Sequence, residues 1–151
     1  MATTVETRTP VHLWIVGTLA LLWNAFGAFD YFMTRTKGAE WIQQMLPTAD
    51  AERYMAYIND FPLWASAGWG LGVWLGLAGA ILLVLRHRLA VPAFALSLLG
   101  ALLGIGYQLA NPVGIPEMSR GFNAAVPYLV ILAAAALFLY ARSMQQKGML
   151  R

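Results

Sequence analysis

Apolar positions in this chain fall into four long blocks: Leu13 to Met33, Pro62 to Leu85, Leu89 to Ala110 and Phe122 to Ala141. Short polar or mixed segments separate them. Each block is close to the ~20 residues that carry a helix across a hydrocarbon core. A backbone in lipid must satisfy its own polar groups, which selects helices over open strands. The pattern predicts an all-α integral membrane protein. It would be an antiparallel four-helix bundle with spans at about 13–33, 62–85, 89–110 and 122–141, forming a single membrane domain over 1–151.

The connections refine this picture. In segment 34–61, Trp41, Ile42, Met45 and Leu46 share one helical face, Glu40, Gln43 and Gln44 another, and Pro47 ends the turn. A second stripe follows with Ala51, Tyr54, Ile58 and Phe61, and Asp50 and Glu52 suit its first turn. Two short amphipathic helices on the outer membrane face, capping the bundle, are expected. Arg86-His87-Arg88-Leu89 is short enough to force an antiparallel hairpin. Pro92 then falls in a first turn, where a missing N–H matters little. Loop 111–121 carries Pro112, Gly114, Pro116 and Gly121 and should be irregular but stiff. Asn123 is placed as the cap of the fourth helix, which puts Pro127 in its first turn. No internal repeat joins the halves, so an inverted-repeat transporter is unsupported.

Composition agrees with the pattern: 60% of residues are hydrophobic and 11% charged, against roughly a quarter charged in soluble domains. There are no cysteines, which excludes thiol catalysis, disulfides and thiolate metal sites. The pI near 9.5 reflects where the cations sit. Arg8, Arg86, Arg88, Arg142, Lys147 and Arg151 fall on one side with a single acid, Glu6. Arg35, Lys37, Arg53 and Arg120 fall on the other, among Glu40, Asp50, Glu52, Asp60 and Glu117. The positive-inside rule therefore expects an inner-membrane protein with both termini cytoplasmic, and no nucleic-acid site. Ala25-Phe26-Gly27 loosely imitates a signal cleavage site, but the first block is longer than a signal core and is expected to be retained.

Two features stand out inside the blocks. Gly68, Gly72, Gly76 and Ala80, spaced four apart, form a groove for a close helix neighbour, and Ser97, Gly100, Ala101 and Gly104 repeat the pattern. At least one groove should serve the intramolecular hairpin, which leaves the other as a homo-oligomer candidate. In the first block, Asn24 lies near the membrane midplane and Asp30 about two turns further out. Polar groups at such depth commonly face a bundle interior or a wet cavity. Tyr107, Gln108 and Asn111 should reach a similar depth and, with Glu117 or Arg120, could line an outer vestibule that binds a solute or a proton. The structural alternative sets Asp30 against Arg120, Arg35 or lipid headgroups and makes Asn24 helix-to-helix glue. The two residues are six apart, so they point ~120° from each other.

Trp14, Trp41, Trp64, Tyr54, Tyr57, Tyr107 and Tyr140 fit interfacial anchoring. Trp23 and Trp74 fall near mid-span, where the indole N–H groups need acceptors. His12 and His87 lie near the cytoplasmic surface without a carboxylate companion, so no metal or cofactor is expected. No nucleophile–base arrangement is visible, and an enzyme is not expected.

The run Trp23-Asn24-Ala25-Phe26-Gly27-Ala28-Phe29-Asp30-Tyr31-Phe32-Met33-Thr34, with the glycine-rich second block, resembles a group of small four-span proteobacterial inner-membrane proteins. Some of these carry a generic sugar-transporter label. The resemblance implies a transporter or permeation pathway for a small polar solute such as a sugar; a single four-helix bundle this short has little internal volume, so that reading calls for a homo-oligomer. The alternative is an accessory or scaffolding subunit with membrane lipid and a membrane-protein partner.

Overall fold

The computed structural model describes residues 9–151, so the tail with Glu6 and Arg8 lies outside the described residues. Six α-helices follow in order: α1 Val11–Lys37, α2 Ala39–Met45, α3 Ala51–Asn59, α4 Leu63–Val84, α5 Ala90–Ala110 and α6 Gly121–Gln146. A single 3-10 turn, Pro116–Met118, precedes α6, and no strand occurs among the described residues. The protein is all-helical, and α1, α4, α5 and α6 are each long and apolar enough to cross a membrane. They match the four predicted blocks, α4 and α5 to within one residue at each end. α1 and α6 run past the predicted ends, because the polar residues that follow each block remain helical; Arg35 and Lys37 oppose the negative dipole end of α1.

α4 and α5 make the closest contact in the molecule. A Cβ on Gly100 would lie 2.5 Å from both the Gly68 carbonyl oxygen and the Gly72 amide nitrogen. A Cβ on Gly68 would sit 2.6 Å from Leu103 Cβ, and one on Gly79 would sit 2.9 Å from the Phe94 ring. Ascending positions on α4 thus meet descending positions on α5, so the pair is antiparallel. Ser97 Oγ adds a hydrogen bond to the Gly72 carbonyl at 2.6 Å. Gly68 and Gly72 thus meet Gly100, Ala101 and Gly104, so the two small-residue rows face each other here, while Gly76 lies between Ser97 of α5 and Asn24 of α1.

α1 packs on the other flank of α4, where Gly17 faces Val84, Asn24 faces Gly76 and Tyr31 faces Gly70. α6 packs on α5. The helices thus follow one another laterally as α1, α4, α5, α6. α1 and α6 come together at one end only. There, Leu13, Leu83, Ala90 and Ala141 are fully buried with Met144 and Leu150. His12 Nδ1 and the Tyr140 hydroxyl bridge α1 and α6 at 2.7 Å. Arg151 N–H donates to the Arg86 carbonyl at 2.8 Å, and Arg88 N–H to the Arg151 carbonyl at 2.9 Å. This closed end includes the α4–α5 turn, in which His87 N–H reaches the Leu82 carbonyl and Arg86 N–H the Leu83 carbonyl. That pair of bonds requires a left-handed residue, and Arg86 supplies it at φ 58°.

The opposite, open end carries α2 and α3. Gly38, at φ 56°, turns the chain back on itself after α1. Ile42, Ala51, Ile58 and Phe61 are buried, as the two amphipathic stripes predict, whereas Met45 is exposed. Asp50 sits just before α3, and its carboxylate accepts the Arg53 N–H at 3.0 Å. One boundary differs from expectation. α6 begins at Gly121, with Arg120 preceding it, so Asn123 is not the cap. Gly121 adopts φ 57° and starts the helix early, while Asn123 Nδ2 donates backwards to the Glu117 carbonyl at 3.0 Å. Pro127 therefore lies inside the helix and deletes the bond that its N–H would make to the Asn123 carbonyl.

Candidate functional site

Where α1 and α6 diverge, a cleft of about 330 Å³ opens between them. Its floor is α4 and α5, contributing Trp69, Gly72 and Val73 from one and Phe94, Ser97, Ala101, Ile105 and Gln108 from the other. Trp23, Asn24, Phe26, Gly27 and Asp30 form the α1 wall. Val126, Pro127, Val130, Ala134 and Leu137, at helical spacing, form the α6 wall. Tyr54 of α3 stands at the open end, and Trp23, Phe26 and Phe122 are exposed at the rim.

Most of the cleft surface is apolar, and its few polar groups differ in how free they are. Asn24 Nδ2 donates to the Ala20 carbonyl of its own helix at 2.8 Å, and its Oδ1 lies against Gly76, where a Cβ would collide with it. Ser97 is committed to Gly72. Asp30 accepts the Trp41 indole N–H on Oδ1 at 2.9 Å, and Trp41 is itself held edge-on by the Phe29 ring at 5.5 Å. Burial pushes the Tyr54 hydroxyl up to about 12, with the negative charge of Asp30 and then Tyr57 adding to the shift. Tyr54 is therefore a neutral phenol near a carboxylate. No lysine, arginine or histidine is among the lining residues.

The structure brings together three of the five residues expected to bind solute: Asp30, Asn24 and Gln108. Asn24 and Asp30 share the cleft despite their angular separation because the α1 wall is wide. Gly27 lies between them, and a Cβ there would meet nothing within 4 Å. Tyr107 and Asn111 are placed elsewhere. The Tyr107 ring packs edge-on against Phe61 at 4.9 Å and Trp64 at 5.6 Å. Asn111 ends α5, donating to the Tyr107 carbonyl at 3.1 Å and accepting the Tyr57 hydroxyl on its own carbonyl at 2.6 Å. Glu117 and Arg120 belong to the loop before α6 and do not line the cleft.

Sequence reasoning missed Trp41, Tyr54 and the whole α6 wall. The spacing of Val126, Val130, Ala134 and Leu137 was visible, but an apolar stripe in an apolar helix points nowhere in particular. Trp23 and Trp74 stay partly exposed, and the indole that does find a carboxylate is Trp41. His12 is engaged by Tyr140 of α6 and His87 locally, accepting the Leu89 N–H at 3.2 Å. Among the described residues no cluster of three metal-ligating side chains occurs. Comparison with protein-family models, curated proteins and solved structures returned no match.

Proposed function

We propose that this chain is a small multi-pass inner-membrane protein, an antiparallel four-helix bundle with cytoplasmic termini, whose cleft binds a small solute for transport. The observation that supports this reading is a carboxylate, Asp30, set in the wall of an apolar cleft between candidate spanning helices. An ionisable group at that depth is costly, and is rarely kept without a task. Asp30 supplies charge, and Gln108 and Tyr54 orient the bound molecule.

The closed end shapes the mechanism. Leu13, Leu83, Ala90 and Ala141 have no exposed surface, so one chain in this conformation holds a binding pocket and not a continuous pore. Passage requires α1 and α6 to part at that end, or a second copy to complete the route. The same closure is the observation that favours the alternative, an accessory subunit that only holds a partner.

Purified protein in proteoliposomes, tested with a panel of labelled small solutes including sugars, separates the two readings. Transport predicts uptake above that of empty vesicles, lost in Gly27→Leu, which fills the cleft. Uptake no greater than in empty vesicles, together with a stoichiometric foreign subunit in native mass spectrometry, would leave the accessory reading.

A further inference from the structure

We infer that the cleft takes a monovalent organic cation with an apolar body, its charged head at Asp30 and its body lying along the aromatic and aliphatic walls. This rests on the reading of the cleft as a solute site and names the solute's class.

Polar capacity sets the first limit. A sugar presents hydroxyls all round its ring, and each hydroxyl buried without a partner weakens binding. The cleft offers few partners. Asn24 Nδ2 is committed to Ala20 and Ser97 to Gly72, leaving Gln108, the Tyr54 hydroxyl and Asp30 toward the open end, with the Trp23 and Trp69 indole N–H groups as donors only. The deeper walls, among them Phe94, Val130, Ala134 and Leu137, carry no polar side-chain atom. The site is therefore polar at one end and apolar along the rest, which matches an amphipathic molecule.

Charge sets the second limit. The lining holds a carboxylate and no basic side chain, so a bound anion would meet uncompensated repulsion. A purely apolar occupant, such as an acyl chain, would cover the carboxylate without pairing it, at a heavy desolvation cost. An ammonium neutralises Asp30. The Trp41 indole already holds one carboxylate oxygen, and the fixed carboxylate then acts as an oriented acceptor. Trp23, Phe26 and Trp69 line the cleft with aromatic rings, whose faces attract cations when water is excluded.

The test uses the purified full chain in lipid nanodiscs and two probes of one shape. Phenylbutyl-trimethylammonium is the cation; its isostere has a quaternary carbon in place of the nitrogen. Equilibrium dialysis on the unmutated protein should show saturable binding of the cation at least about tenfold tighter than that of the isostere, the scale of one ion-pair or cation–π contact shielded from water. Asp30→Asn should remove that preference by weakening the cation, with the isostere binding no worse because it no longer covers a carboxylate, and Gly27→Leu should abolish binding of both. Equal affinity for the two probes, or displacement of the cation by glucose, would overturn the inference. If the isostere still binds and Gly27→Leu still blocks it, the cleft remains a solute site and only the assigned class falls. Saturable binding of neither probe also overturns the inference, and the flux assay then judges the solute site by itself.

Discussion

Tyr54 shows how one half-buried side chain ties an outer helix to the cleft. Its phenol is held protonated to about 12, by burial first and by Asp30 second. Between pH 10.0, its ordinary value, and about 12, the unfolded chain has released this proton and the folded chain has not. The contribution of Tyr54 to stability is thus full below pH 10 and is lost as pH rises towards 12. An alkaline phenolate titration should show one tyrosine ionising near 12 that is absent in Tyr54→Phe. In Asp30→Asn the same ionisation should move partway down, since burial, the larger cause, stays. An unchanged titration in that variant would mean the two groups do not sense each other. Asp30 and Asn24 were legible in the sequence as polar atoms inside an apolar block. The Trp41 partner was not, because it depends on how Gly38 turns the chain back between them.

At the scale of elements, the α4–α5 contact should be the least tolerant part of the fold. Gly100→Ala places a methyl against two backbone atoms that cannot move aside, and overpacking of this kind costs about 1–3 kcal/mol. Gly106→Ala has open space around its new methyl and should be neutral or stabilising by up to ~1 kcal/mol, since alanine is the better helix former. Denaturant unfolding in mild detergent measures both, and similar losses in the two variants would refute the register described above. The four apolar helices and both amphipathic segments could be read from the chain, because each is written in its own local pattern. Which surfaces the two glycine rows meet could not, since an intramolecular hairpin and a second copy ask for the same small residues. The α6 start was misread for a related reason. Asn123 has the chemistry of a cap, but the left-handed Gly121 had already begun the helix.

For the whole molecule, orientation is the first property to measure. The chain has no native cysteine, so single substitutions report cleanly. Thr48 lies between α2 and α3 and Lys147 just beyond α6, both exposed. With cytoplasmic termini, a membrane-impermeant thiol reagent added to intact cells should label Thr48→Cys and spare Lys147→Cys. The reverse pattern would invert the proposed topology, which rests on six basic residues against four.

The unequal fastening of α6 has a mechanical consequence. Its buried residues, Ala141 and Met144, both lie near its C-terminal end, and the Tyr140–His12 bridge is there too. A 26-residue helix is a rod of about 39 Å. The arm from Tyr140 to Gly121 is about 28 Å, so a swing of about 5° around the fastened end carries the Gly121 end through roughly 2.5 Å. α6 is in effect a lever with its fulcrum near Tyr140. A small tilt of α6 would thus change the width of the cleft mouth at Val126 and Pro127 while leaving the packed end as it is.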